Sequence, residues 1–308
     1  MNYLSLFDGL SGCRIVAEKC NLPITKYYAS EIDENSIKVS KHHFPDIIHV
    51  GDVRFLNAVD FIDVDIIAGG SPCTNLSFMG KRQGMITETN VEVTTLEQYH
   101  KLKEEEFQFI GQSYLFWEYV RLYKEINELR KQNGKKELYF FLENVKMAVK
   151  WNSIFSKVLK TKPLYINSSI VSAQSRERLY WTNLPKPTIE DKGIKLENVI
   201  PDAVHGVGFR GRKRGDKWEY PMTSRYNFKS NCIVTVLGNK SKDGKCNGTG
   251  FYITKTGEVE RFTIEDAEQL QGLPKGHTNV GISQTSREKM IGNGWNIPTI
   301  ELFFQSLK

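Results

Sequence analysis

The 308-residue sequence is short of several things, and each shortage removes a class of protein. Long hydrophobic runs are missing: none approaches the ~18 apolar residues that a membrane-crossing helix needs. The opening residues, MNYLSLFDGLSG, have neither a basic n-region nor an apolar h-region, so a secreted protein is not expected. Cysteine is scarce and odd in number, at Cys13, Cys20, Cys73, Cys232 and Cys246. No two cysteines form a C-x-x-C pair and no histidine stands at ligand spacing beside them. A disulfide framework and a structural zinc are therefore poor readings, and no metal is expected. Free thiols in a reducing, cytoplasm-like compartment fit better, each of them inert or catalytic. No biased tract and no internal repeat is visible.

What remains is an ordinary globular composition, 40% hydrophobic and 25% charged, in a chain long enough for one large core and a smaller lobe. The net charge of +6 is unevenly spread: residues 205–255 carry eleven Lys or Arg against three acids, a net of +8, leaving about −2 elsewhere. Such a run is either a solvated loop or a phosphate-contacting surface, because clustered cations gain affinity by releasing condensed counterions.

Strand-like runs recur at Tyr3–Phe7, Lys26–Ile32, Ile47–Val50, Val64–Ala68, Leu138–Leu142, Ile166–Val171 and Leu179–Thr182. Helix-compatible stretches lie between most of them, at Arg14–Cys20, Glu34–His43 and Ser113–Lys131. Alternation of this kind predicts βαβ units, an α/β fold with a doubly wound, mostly parallel sheet and its ligands at the carboxyl ends of the strands. Residues 85–110, rich in Thr and Glu, read as a mobile excursion. From Leu184 to about Arg261 the chain is rich in Gly, Pro, Asn and Lys, with short strand-like pieces at Cys232–Leu237 and Gly250–Thr254. Helical periodicity returns at Thr263–Gln271 and Gln284–Ile291, and Ile300–Leu307 is apolar enough to dock on the large domain. The expected division is a catalytic domain of residues 1–184 and 262–308 with a small domain of residues 185–261.

The turn after the first strand, Phe7-Asp8-Gly9-Leu10-Ser11-Gly12, lets backbone pass close to a ligand. It is not the G-x-G-x-x-G fingerprint. Glu31, ending the second strand, stands where doubly wound folds accept ribose hydroxyls, and Asp52 could receive an exocyclic amine. A plain loop with surface acids also fits these residues. The fourth strand runs into Gly69-Gly70-Ser71-Pro72-Cys73, where Pro72 restricts the backbone beside the thiol. Most cysteines are buried and inert, but flanking Gly-Gly and Ser-Pro favour a nucleophile. Glu143 closes the apolar strand Tyr139–Leu142, in partly dehydrated surroundings that help a carboxyl hold a proton. Arg176 and Arg178, at alternate positions of an extended segment, point the same way as a fork for a carbonyl-rich or anionic partner. A thiolate, a protonatable carboxyl and two arginines at one sheet edge suit addition to C6 of cytosine, followed by methylation at C5.

Taken in order, these strings resemble the DNA cytosine-5 methyltransferase family across nearly the whole chain. Phe7–Gly12 is similar to its cofactor loop, Ser71-Pro72-Cys73 to its nucleophile loop, Glu143-Asn144-Val145 to its acid motif and Gln174–Arg178 to its arginine motif. Arg261–Pro274 and Gly292–Pro298 are similar to its later motifs, and the wording looks closest to the animal de novo-type catalytic domains. The resemblance implies a Rossmann-like S-adenosylmethionine-dependent methyltransferase with a small target-recognition lobe. It also implies Cys73 as nucleophile, Glu143 at N3, and Arg178 at O2 with Arg176 beside it. S-adenosylmethionine would meet Phe7, Asp8, Gly9, Gly12, Glu31, Asp52, Val53, Pro72, Asn293 and Trp295. Duplex DNA is the implied partner, reached by Ser77, Arg210, Arg212, Lys213, Arg214, Lys217 and Arg225. Location in the cytoplasm, or wherever the DNA is, is expected, and a monomer on DNA is expected ahead of a dimer. Thr74 departs from the family, where Gln is common.

An RNA-directed enzyme of the same chemistry is a rival that a basic lobe does not exclude, since both polymers carry phosphates. A silent DNA-binding relative would lack the cysteine, the acid or the cofactor loop, and a nicotinamide dehydrogenase leaves Cys73 and Glu143 unexplained. Charge reversal at Arg210, Arg212, Lys213, Arg214 and Lys217 is expected to weaken binding to all DNA sequences alike in a filter or anisotropy assay. A change of sequence preference at unchanged affinity would contradict it.

Overall fold

The computed structural model describes residues 1–76, 84–207, 212–214, 217–219, 228–242 and 245–308, with 212–214 and 217–219 described by backbone. Strand β1 (Asn2–Leu6) shows how the sheet is built: Tyr3 enters the core on one face, Leu4 and Leu6 the core on the other. The same alternation separates Ile66 and Ala68 from Ile67 in β4 (Ile66–Gly70), and Phe141 from Phe140 and Leu142 in β5 (Tyr139–Val145). Successive side chains of a strand point to opposite faces, so a strand apolar at every position must be covered on both.

Strands β2 (Lys26–Ser30), β3 (Ile48–His49), β6 (Leu164–Asn167) and β7 (Glu177–Thr182) complete a seven-stranded sheet of order β3-β2-β1-β4-β5-β7-β6. The pairs from β3 to β5 are parallel, and β7 alone runs against its neighbours β5 and β6. Strand order reverses on either side of β1, and that switch point opens a crevice at the carboxyl ends of β1 and β4. Helices α1 (Gly12–Lys19) and α2 (Glu34–His43) connect the first strands, and Asp33 caps α2 by accepting from Ser36 N at 3.0 Å. Further along lie α3 (Leu96–Glu104), α4 (Phe116–Gln132) and α5 (Val149–Val158).

Beyond β7, strands β8 (Ala203–Gly206), β9 (Arg212–Arg214), β10 (Lys217–Glu219), β11 (Asn239–Lys240), β12 (Cys246–Asn247), β13 (Phe251–Thr254) and β14 (Val259–Arg261) are short. They form a three-stranded sheet, β14-β13-β8, and two pairs, β9 with β10 and β11 with β12. Leu196, Ala203, Ile233, Leu237 and Phe262 are buried in one continuous cluster with Ile15, Ile66 and Phe141 of the large sheet's side. Helices α6 (Ile264–Leu270), α7 (Gln284–Asn293) and α8 (Ile297–Phe304) close the chain, the last with Ile300, Phe303 and Phe304 fully buried. Among the described residues no helix is long and apolar enough to cross a membrane.

Two expectations are corrected. The 85–110 excursion is docked on α4: Met85, Val93 and Tyr99 are buried, and Tyr99 Oη donates to the buried Glu118 carboxylate at 2.6 Å. Lys103 and Arg121 bind the same carboxylate, each at 2.6 Å. A Thr- and Glu-rich composition hid apolar residues at helical spacing, Leu96, Tyr99 and Leu102. The second correction concerns Cys232–Leu237, which is no strand. Its backbone is bound by side chains instead, with Ile233 N donating to Gln174 Oε1 at 3.0 Å and Leu237 N to Glu288 Oε2 at 3.0 Å.

His277 packs against α2, its ring stacked on His43 with centroids 4.0 Å apart and planes at 7°. Burial above all, with His43 and His42 adding repulsion, pushes the His277 imidazole down to about 4 from its ordinary 6.5. The folded state therefore prefers neutral His277. Its contribution to stability is complete above the unfolded value and is lost as pH falls from about 6.5 towards 4, on the order of 3 kcal/mol at most. Asp8, raised to about 6, acts with the opposite sign in part of that window, so a comparison of variants is needed. His277→Phe should keep the stack and flatten the fall in thermal midpoint across that window; equal slopes for both proteins would refute the assignment.

Candidate active site

At the carboxyl end of β4 the chain turns through Ser71, Pro72 and Cys73, and β5 holds that turn in place. Asn144, itself buried, donates from Nδ2 to Ser71 O at 3.1 Å and to Ser71 Oγ at 3.0 Å. Gly70 leaves room for what stands opposite: a Cβ there would lie 2.9 Å from Trp295 Nε1 and 3.1 Å from Glu143 Oε2. Burial first, and then the Glu143 carboxylate, push the Cys73 thiol up, while Arg178 and Arg176 pull it down without reversing the shift. Cys73 therefore rests as a thiol.

Glu143, at the end of β5, meets Arg178 of β7, whose Nε lies 2.9 Å from Oε1. The Glu143 side chain is 12% exposed, so the partly dehydrated surroundings expected of this acid also hold an ion pair. Arg176, expected beside Arg178 at the substrate, is turned to another task. Its Nη1 donates to Ile233 O at 2.9 Å, and its Nη2 to Gly292 O at 3.1 Å and Gly294 O at 2.9 Å. The fork is real, but what it grips is a second thiol. Cys232 Sγ lies 3.3 Å from Arg176 Nη1 and 4.0 Å from Arg178 Nη2. Burial alone would raise Cys232; the two guanidiniums outweigh it and hold this thiol below its ordinary value. Sequence reasoning missed Cys232, because its arginine partners lie 56 and 54 residues away in the chain.

The turn after β1 is strained, with Phe7 at φ 56° and Ser11 at φ 57° in the left-handed region, beside Gly9, which adopts φ 56° freely. Glu31 steadies it: Oε2 accepts from Gly9 N, and Oε1 from Ile32 N and Asp33 N, each at 2.8 Å. Asp8 is buried beneath, accepting from Ser11 Oγ and Tyr27 Oη at 2.7 Å each, and burial raises it to about 6 against those hydrogen bonds. Asp52 has a partner the sequence did not suggest, since Arg54 Nε donates to both its oxygens, at 3.1 and 2.9 Å. Burial works to raise Asp52, but Arg54 carries it below the usual carboxylate range.

One cavity of about 540 Å³ gathers Phe7, Asp8, Gly9, Gly12, Glu31, Asp52, Val53, Pro72, Cys73, Glu143, Arg176, Arg178, Asn293 and Trp295 on its walls. Thr74, Gln112 and Leu115 line it as well, the last two from the residues that follow the docked excursion. Of the residues expected at DNA, Ser77, Arg210 and Arg225 lie outside the described residues. Arg212, Lys213, Arg214 and Lys217 lie on β9 and β10, described by backbone, with Arg214 paired to Lys217. Among the described residues no group of three or more His, Cys, Asp or Glu is arranged to hold a metal ion.

The two thiols should be separable by reactivity, because the thiolate is the reacting form. A limiting dose of iodoacetamide near neutral pH, read by isotope-coded mass spectrometry, is expected to modify Cys232 ahead of Cys73. Its labelling should also persist to lower pH. Faster labelling of Cys73 would overturn the electrostatic account.

Comparison with known proteins gives the family and the fold. The family model for C-5 cytosine-specific DNA methylases matches residues 1–202. The chain is 25% identical to the type II methyltransferase M1.ScrFI of Lactococcus lactis subsp. cremoris, covering 99% of this chain and 77% of the relative. It is 23% identical to M.Bsp6I of Bacillus sp. (strain RFL6), covering 98% and 97%. Among solved structures, the S. pombe Dnmt2 methyltransferase shares the fold with a TM-score of 0.64 at 14% identity, covering 99% of this chain and 97% of that one. A putative DNA modification methyltransferase encoded within an E. coli prophage does so with a TM-score of 0.60 at 17% identity, covering 100% and 98%. The family match spans well over half of the sequence and includes the Cys73 and Glu143 motifs, and the chain belongs to the C-5 cytosine-specific DNA methylase family.

Proposed function

We propose that the protein transfers a methyl group from S-adenosylmethionine to C5 of a cytosine swung out of duplex DNA, through a covalent bond between Cys73 and C6. The observation that carries this reading is the single cavity shared by Cys73, Glu143, Arg178 and the Phe7–Gly12 turn. Its far end suits the cofactor: a carboxylate fixed by three amides at Glu31 for ribose hydroxyls, and a Trp295 ring with which Gly12 and Gly70 leave close approach. Phe7, Asp8, Asp52, Val53, Pro72 and Asn293 would complete the cofactor's walls. Bound there, it supplies an electrophilic methyl group on a sulfonium.

The chain's residues prepare the base. Arg178 would hold O2 of cytosine. Cys73 adds to C6 as its proton passes to the neighbouring Glu143 carboxylate, which presents that proton to N3 and so stabilises the electron-rich C5. After methylation, loss of the C5 proton to water, expulsion of the Cys73 thiolate and return of the N3 proton through Glu143 to that sulfur restore both the ring and the thiol. Arg176 acts by holding Ile233 and the Gly292–Gly294 segment rather than by touching the base, since its Nη1 and Nη2 are already bound to their carbonyls. Residues 1–184 and 262–308 would carry this chemistry and residues 185–261 target recognition. Arg210, Arg212, Lys213, Arg214, Lys217 and Arg225, with Ser77, would contact phosphates and help offset the few kcal/mol that base flipping costs.

The test is methyl transfer from labelled S-adenosylmethionine to unmethylated duplex DNA with base-resolution readout. The wild type should yield 5-methylcytosine in one short context. Cys73→Ser should lose transfer by about 10³-fold or more, and Glu143→Gln by about 10²-fold. Undiminished transfer by Cys73→Ser would exclude the covalent route, and transfer to RNA in preference to DNA would move the substrate to the other polymer.

A further inference from the structure

Among the described residues, the excursion of residues 85–110 is a large feature that the proposed chemistry leaves without a task. Its core contacts have been described; its two ends converge on a single residue, Asn75. Gly84 N donates to Asn75 O at 2.9 Å where the excursion begins. Where it ends, Asn75 N donates to Ser113 Oγ at 3.2 Å, and Asn75 Nδ2 to Ile110 O at 3.3 Å. Gly111, at φ +67°, fits beneath the Asn75 carboxamide, which a Cβ would approach to 2.8 Å. Asn75 is 6% exposed and Ser113 fully buried, so these bonds are made away from water, where an unmet partner is costly.

Cys73 thus sits between two fixed points. On one side Asn144 holds Ser71, and on the other residues 110–113 hold Asn75, with Leu76 N donating back to Cys73 O at 2.9 Å. A nucleophile on an irregular turn has no ladder of its own to fix it, and a misplacement of about 1 Å can cost about 10²-fold in rate. We infer that the docked excursion is a rigid buttress for the nucleophile turn and that Asn75 is a positioning residue for Cys73. This rests on the reading of Cys73 as nucleophile.

Three substitutions probe the same contact from different sides: Asn75→Ala, Ser113→Ala and Gly111→Ala. Each is expected to lower kcat about tenfold or more, and to slow covalent capture by duplex DNA containing 5-fluorocytosine by a similar factor. KM for DNA and the Kd for S-adenosylmethionine should move less than about threefold. Asn75→Asp, which loses the donor and buries a carboxylate against the Ile110 carbonyl, should lose at least as much as Asn75→Ala. A kcat within about twofold of wild type in Asn75→Ala and Ser113→Ala would overturn the inference, as would losses in kcat and cofactor affinity that track each other and a lowered thermal midpoint. Cys73→Ser run alongside separates the two levels. If that variant still transfers methyl groups, the nucleophile assignment fails; if it is dead while the Asn75 variants keep full kcat, the buttress alone fails.

Discussion

The Arg176 guanidinium is the contact on which the assembled site depends. Its donors join the start of β7 to carbonyls 57, 116 and 118 residues further along the chain, at Ile233, Gly292 and Gly294. Gln174 reinforces the same seam, accepting from Ile233 N and donating to Leu270 O and Gln271 Oε1. Bonds from a charged donor contribute about 1.5–3 kcal/mol each, and losing the donor would leave several buried carbonyls unmet at once. A buried cation bonded to carbonyls keeps most of its charge, and that charge is felt by Cys232. Arg178 makes no such long-range carbonyl bonds, and its Nε pairs with Glu143.

The consequence is an asymmetry between two thiols within reach of the same fork. Cys73, the nucleophile of the proposed reaction, is held in its thiol form by burial and by a carboxylate. Cys232 is stabilised in its charged form by the cations that contact it. Reactivity in the resting protein and reactivity in the proposed catalysis are thus placed on different sulfurs.

Much of this was legible in the chain. Alternating apolar runs predicted the parallel sheet, and the residues ending β1, β2, β4 and β5 proved to line one cavity because strand ends at a switch point converge. What escaped was set by distant partners. Arg176 and Arg178 read alike on a strand, yet one faces backbone carbonyls and the other a carboxylate, a distinction made by residues 232–234 and 292–294. Cys232–Leu237 has a strand's composition but bonds to side chains, which no periodicity records. In the excursion, acidic residues masked the one apolar face by which it docks.

The turn after β1 has a further meaning for ligand capture. Its left-handed residues and the amide cage around Glu31 are already in place, so little conformational entropy remains to be lost when a nucleoside arrives. The strain was met during folding, by the buried bonds of Asp8 with Ser11 and Tyr27. Association at this end of the cavity then becomes a matter of shedding water and matching shape, and in the proposed reaction the free energy of binding can be directed to the other end, where a base would be drawn out of its stack.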